Sequence, residues 1–184
     1  TYTVSRLDAI SGAPRDTLSL VGSRNSVVYM SNQSLYVTMT RPAPTGEVLT
    51  GFLLTRVRDE LPDHAVERLE RVREYNLSDE AQYAEARNVL DSWLLGLDDE
   101  ERQEIHSKLA EEYRAYTKER RGEFTTTQIV EIDPESMSVA ATGTVPGEPL
   151  NQFALVEHER NLRTATSLRP PSVRWQGANT SNDV

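Results

Sequence analysis

The chain changes character twice along its length. Thr55–Glu123 carries twelve basic and nineteen acidic residues, whereas Thr1–Leu54 carries four and three and Phe124–Val184 four and seven. The charge-dense middle has apolar residues at helical spacing, while both flanks are rich in β-branched and aromatic residues. A chain built this way is expected to be α+β, with sheet-forming ends that pair across a helical insertion.

The strand signals are local and explicit. Leu35, Val37 and Met39 alternate with Tyr36, Thr38 and Thr40, the period-2 pattern of a strand with two different faces. Ser26–Ser31 is a similar run, and Asn32-Gln33 between the two is short and polar enough for a hairpin turn. Tyr2–Leu7 reads as an earlier strand and Glu47–Leu54 as a further extended run. Beyond Phe124, strands are predicted over Phe124–Ile132, Ser138–Val145, Asn151–Glu157 and Asn161–Thr166, with turn signals at Asp133-Pro134 and Pro146-Gly147. Short strands at this spacing suit a meander, a sandwich or a propeller blade.

The middle segment predicts three helices. The first carries Val66, Leu69 and Val72 after Pro62 and ends at Asn76 in a left-handed conformation. Ser78 is the N-cap of the second, whose stripe is Tyr83, Ala86, Leu90, Trp93, Leu94 and Leu97, with Gly96 as its stop. Asp98 and Glu101 form a capping-box pattern opening the third, which carries Ile105, Leu109, Tyr113 and Tyr116. The short connections predict antiparallel neighbours. The expected organisation is therefore 1–54 strands, 55–123 helical insertion, 124–169 strands, and 170–184 a polar tail.

Composition removes several classes of chemistry. The chain has no cysteine, hence no disulfide, thiolate metal site or cysteine nucleophile. Its net charge is −9, with no basic face for nucleic acid. No apolar run approaches the roughly 20 residues of a membrane span, so no membrane insertion of this segment is expected. The basic residues are almost all arginine, with Lys108 and Lys118 the only lysines. That bias suits a salt-adapted acidic surface, and it equally suits a high-GC genome. A start at Thr1 rather than Met leads us to expect an excised or processed piece.

Three stretches resemble one family. Ser26–Val37 (SVVYMSNQSLYV) is similar to the "nVYaS…nLYV" hairpin of secreted proteins with a C-terminal β-propeller domain, an uncharacterised prokaryotic family distantly similar to WD40 propellers. Thr126–Ile132 (TTQIVEI) resembles its "TT-x-I-h-x-(F/I)" strand. Gly143–Thr166 (GTVPGEPLNQFALVEHERNLRTAT) follows "G-x-V-x-G-x-x-LNQFSMDE-x-x-x-x-LRVATT", with Ala154, Leu155 and Val156 in place of Ser, Met and Asp, and Thr164 in place of Val. The resemblance implies an antiparallel β-propeller-blade-like sheet, about two blades of an incomplete propeller, with the three helices inserted between the second and third strands of one blade. The insertion resembles that of haloarchaeal members, and the family implies an extracellular or cell-surface location. An incomplete propeller exposes strand edges, which invite a homo-oligomer.

No residue stands out as catalytic, cofactor-binding or metal-ligating. His64, His106 and His158 show no metal-ligand spacing; His158 between Glu157 and Glu159 reads as a turn histidine, since alternating strand residues face opposite ways. Asp98–Glu101 lacks the ligand spacing of a calcium loop and sits where negative charge favours a helix start. Nucleophile-elbow, dinucleotide-binding and Walker patterns do not occur. Tyr83, Trp93, Tyr113 and Tyr116 at helical spacing read as core rather than a ligand groove. The sequons at Asn32, Asn76 and Asn179 are candidate glycosylation sites, and Trp175 in the polar tail is a candidate partner contact.

The first functional expectation is a non-catalytic interaction or ligand-binding scaffold with an unknown protein or cell-surface partner and no cofactor. The alternative is part of a hydrolase- or lyase-type propeller enzyme whose active site lies largely outside this segment. A third reading has the acidic helices dock a partner. Convergence of acidic, histidine and hydroxyl groups from Asn151–Glu157 and Tyr29–Tyr36 would favour the enzyme.

Overall fold

A computed structural model describes residues 1–23 and 25–171, which form two compact units. One comprises Thr1–Pro42 and Gly122–Arg169; the other comprises Ala43–Arg121 with the last described residues, Pro170 and Pro171.

The first unit holds the strands. These are β1 (Tyr2–Leu7), β2 (Pro14–Leu20), β3 (Val28–Met30), β4 (Leu35–Pro42), β5 (Thr125–Asp133), β6 (Ser138–Pro146), β7 (Glu148–Pro149), β8 (Leu155–His158), β9 (Asn161–Thr164) and β10 (Thr166–Ser167). The main sheet has four antiparallel strands in the order β3-β4-β5-β6. The expected pairing of distant segments is present: Tyr36 lies opposite Glu131 and Thr38 opposite Ile129.

Register decides what each face of this sheet does. Val37 and Met39 of β4 and Val130 and Ile132 of β5 share one face and are buried, with Tyr2, Val4, Leu18 and Leu20 of the β1–β2 ribbon packed against them. The opposite face carries Tyr36, Thr38, Thr40, Thr127 and Ile129, also buried. Its threonines are satisfied internally: Thr40 and Thr127 share a 2.8 Å hydroxyl contact, Thr127 Oγ1 donates to the Gly147 carbonyl (2.6 Å), and Thr38 Oγ1 accepts from the Val27 amide (2.9 Å). Glycine is required at position 147, where φ is +82° and a Cβ would come within 2.7 Å of the Ser167 carbonyl.

Two strand expectations need correction. Asn151–Glu157 is not one strand, because the Asn151 side chain accepts from the Phe153 amide and caps a 3₁₀ turn over Gln152–Ala154, so β8 begins only at Leu155. The second strand of the N-terminal ribbon, β2, was not expected; its outward positions are polar and carry little apolar alternation.

The second unit has four helices, not three: α1 (Thr45–Arg56), α2 (Asp63–Glu74), α3 (Asp79–Leu95) and α4 (Asp99–Glu119). The helical region therefore starts at Thr45 rather than Thr55, and Glu47–Leu54 is helix rather than an extended run. The reason is burial: Val48, Leu49, Thr50, Phe52, Leu53 and Leu54 are all buried, and the narrow outward stripe of Glu47, Gly51 and Thr55 carries a single charge, so the helical period is weak in the sequence. The other helices bury one stripe each, such as Ala65, Val66, Leu69 and Val72 in α2. Phe52 of α1 meets Tyr113 edge-on at 5.1 Å and Tyr116 at 5.6 Å, both on α4.

The helix starts follow the local chemistry. Ser78 Oγ accepts from the Ala81 amide, and Asp98 and Glu101 form a reciprocal capping box. Pro44 leaves α1 without a cap of its own. The Asp79 carboxylate at the start of α3 takes that role, accepting from the amides of Thr45 (3.1 Å) and Gly46 (2.7 Å). α2 ends at Glu74, and Tyr75 turns extended. Asn76 is not among the residues with positive φ, so it does not end α2 in the left-handed region.

Candidate functional site

A convergence of polar side chains in the first unit starts from three residues abreast on the sheet. Register places Tyr29 of β3 opposite Tyr36 of β4, and Tyr36 opposite Glu131 of β5. The three therefore share a face, and the two rings stack at 6.0 Å with an interplanar angle of 21°. At the hairpin turn, Ser31 Oγ accepts from the amides of Gln33 (3.1 Å) and Ser34 (2.9 Å). Its own hydroxyl faces two acceptors, the Glu157 carboxylate and, at 3.1 Å, the Ser34 carbonyl. Buried Ser34 donates to Glu131 Oε1 at 2.7 Å. The Glu157 amide in turn donates to Tyr29 Oη at 3.2 Å. One hydroxyl and one carboxylate from the sheet, and one of each linking it to β8, thus form a closed set.

Tyr36 sits between the two carboxylates. Burial pushes its phenol up to about 12, the charges of Glu131 and Glu157 and a hydrogen bond to Glu157 push the same way, and a hydrogen bond with Ser34 only partly opposes them. The phenol therefore stays neutral and acts as a hydrogen-bonding brace. A tyrosine nucleophile or base requires the opposite shift.

Above this cluster lies an open groove of about 400 Å³ between residues 29–33 of the hairpin and residues 157–160. Asn32, Gln33, His158, Glu159 and Arg160 are exposed along it. His158 Nε2 stands 3.8 Å from Glu159 Oε1. Glu159 and Arg160 have φ of 50° and 62°, so they form the tight turn of the β8–β9 hairpin with left-handed backbone at both central positions. That turn aims the two charged side chains out of the hairpin.

The sequence-derived candidates fare differently. Asn32 is exposed on the groove rim, but the hydroxyl of its sequon, Ser34, is buried and committed to Glu131. Asn76 is exposed between α2 and α3. Asn179 and Trp175 lie outside the described residues. His64 lies on α2 and His106 on α4, away in sequence and element from His158. Burial pushes His106 down, aided by the Arg87 and Arg102 charges and opposed by Asp91. Among the described residues no group of three His, Asp or Glu is placed to hold a metal ion, and no helix is long and apolar enough to cross a membrane. Tyr113 and Tyr116 are buried core residues of α4, while Tyr83 and Trp93 are half-buried on α3. Residue-by-residue reading of the sequence does not single out Ser31, Ser34, Glu131 and Glu157, but it names convergence of the Tyr29–Tyr36 hairpin with the Asn151–Glu157 stretch as the sign favouring the enzyme alternative, and hydroxyl and carboxylate groups of the two stretches do converge, with His158 beside them on the groove.

Comparison with known proteins agrees with the sheet. An uncharacterized protein of Archaeoglobus fulgidus is 33% identical over 171 residues, 91% of this chain and 27% of its own length. An uncharacterized protein of Methanocaldococcus jannaschii is 29% identical over 169 residues, with the same two shares. The chain thus spans about a quarter of the length of these curated relatives. No solved structure matches it. The family model described as "Beta propeller domain" matches residues 1–184, and the chain belongs to that family.

Proposed function

We propose that this chain is a non-catalytic part of a secreted or cell-surface β-propeller protein, and that it acts as an interaction scaffold whose contact surface is the groove over the Tyr36 cluster. The sheet β3–β6 serves as one blade, and β8–β9 opens the next. The observation that carries this reading is the state of the cluster. Ser31 occupies Glu157, Ser34 occupies Glu131, and the phenol between them is held neutral. The groups that would act as base or nucleophile are already partnered within the unit, whereas Asn32, Gln33 and Arg160 are exposed on turns and His158 at the end of β8. Loop side chains on a braced scaffold are what a recognition surface needs. The net charge of −9 and the arginine bias support a salt-rich, haloarchaeal habitat. Asn76 and Asn179 are the sequons best suited to glycosylation there, since Ser34 is buried beside Asn32.

The enzyme reading makes a separate expectation, because carboxylates do converge with hydroxyls here. A panel of chromogenic glycosides, esters and uronide polymers, assayed at pH 5–9, distinguishes the two. The scaffold reading expects no turnover, and binding to isolated cell-envelope material that Arg160→Ala weakens and Glu131→Gln leaves intact. Turnover abolished by Glu131→Gln or Glu157→Gln overturns it.

A further inference from the structure

The three histidines stand in unlike surroundings. His64 and His158 are exposed, whereas His106 of α4 is half-buried, with its Nδ1 shut off from solvent and without a hydrogen-bond partner. A neutral imidazole tolerates this, because Nδ1 is then free to be the ring's bare nitrogen. An imidazolium does not, because both nitrogens carry protons and a buried N–H without an acceptor costs the desolvation of that group.

Helix geometry sets the charges around this ring. Arg102 stands four residues before His106, on the same face of α4. Its guanidinium ties the start of α4 to the end of α3, donating from Nε to the Leu94 carbonyl (2.9 Å) and from Nη2 to the Leu97 carbonyl (2.6 Å). Leu94, Asp91 and Arg87 follow one another along one face of α3, and Arg87 Nε donates to the Asp91 carboxylate at 3.0 Å. Arg87 and Asp91 from α3 and Arg102 from α4 are the charged groups that act on the ring. Two guanidiniums thus accompany one carboxylate, and Arg87 already engages that carboxylate.

We infer that the α3–α4 seam is an acid-sensitive joint: protonation of His106 sets a third cation beside Arg87 and Arg102 and gives the buried Nδ1 a proton with no acceptor, which loosens α4 from α3. This is a property of the helical unit and goes beyond the groove reading. Its sign follows from the folded and unfolded states. Burial and the two guanidiniums hold the folded imidazole below its ordinary value of 6.5, and Asp91 only partly opposes them. Below pH 6.5 the unfolded chain takes up a proton that the folded chain refuses. The stability is therefore fully present above that pH and is lost as pH falls.

Two measurements on the full chain test it. Proton nuclear magnetic resonance should show the His106 ring titrating at lower pH than the rings of His64 and His158. Urea unfolding followed by far-ultraviolet circular dichroism, repeated between pH 7.5 and 5.5, should show the folding equilibrium constant of wild type falling about three- to tenfold further than that of His106→Gln, since linkage to one proton changes it by at most about tenfold per pH unit. The carboxylates are common to both proteins and cancel. His64→Gln, at an exposed position of α2, should keep the wild-type fall. The inference is overturned if the His106 ring titrates with or above the other two, if His106→Gln weakens in acid as steeply as wild type, or if His64→Gln removes the fall. The titration is read on the wild-type chain, so it decides the matter even where His106→Gln does not fold. Neither readout involves the groove, so failure here and failure of the scaffold reading are separable.

Discussion

Replacing Tyr36 with Phe removes one oxygen from the centre of the candidate site, and its effect should change with pH. Tyr36 is 4% exposed, so Phe fits the same space. At pH 8 the loss is that of a hydrogen bond between a neutral phenol and a carboxylate, about 1–2 kcal/mol after the remaining Ser31 donor is counted. The alkaline range then separates folded and unfolded phenols. The folded phenol titrates at about 12 against an ordinary value of 10.0. Above pH 10 the unfolded chain sheds this proton and the folded chain keeps it, so unfolding releases protons and stability falls as pH rises. The contribution is fully present below pH 10 and is lost as pH rises to about 12. A shift of about two units corresponds to roughly 2–3 kcal/mol at most, and the expected change is about 1–2 kcal/mol. Urea melts followed by far-ultraviolet circular dichroism at pH 8, 10, 11 and 12 should therefore show the wild-type advantage over Tyr36→Phe shrinking toward zero. Tyr113, also pushed up to about 12, is common to both proteins and cancels. An advantage that stays constant from pH 8 to 12 would refute the reasoning: the phenol would then ionise near its ordinary value, and the neutral-brace argument against catalysis would fail with it.

Three further outcomes are expected. Gly46→Ala should destabilise the helical unit by roughly 1–2 kcal/mol in a thermal melt, because an added Cβ meets the Asp79 carbonyl oxygen and the Tyr83 amide nitrogen at 2.7 Å; a higher melting temperature, as helix propensity alone predicts, would show that α1 and α3 can yield. Replacing Glu159-Arg160 with Asn-Gly should stabilise the strand unit by roughly 0.5–1 kcal/mol, since both positions are left-handed, and a loss in urea midpoint would contradict the turn assignment. Melting temperature should climb between dilute and molar KCl, as salt screens the −9 charge; a flat or descending profile counts against a salt-adapted surface.

Much of the local structure was legible in the residues. The alternation over Leu35–Thr40 and the β-branched run before Asp133 mark β4 and β5 because a strand's two faces differ in burial. Ser78, Asp98 and Glu101 announce their helix starts because a cap is a contact of three residues' span. The failures have equally definite causes. α1 hides because its outward stripe, Glu47, Gly51 and Thr55, is too narrow and too weakly polar to reveal the helical period. Asn151 breaks a strand-like run through a hydrogen bond two residues ahead, which competes with the ladder.

The partition into sheet-forming ends and a charged helical centre was thus written in composition and period alone. The Ser31–Glu157, Ser34–Glu131 and Tyr36 cluster was not. Its members are ordinary surface-type residues when taken one at a time, and they become a site only because β4 and β5 pair in one register across the whole helical insertion and β8 then returns beside the hairpin. A one-residue slip would turn Glu131 to the other face. Burial and hydrogen bonding, which hold the phenol neutral and satisfy both carboxylates, are properties of that three-dimensional neighbourhood, and no linear pattern encodes them.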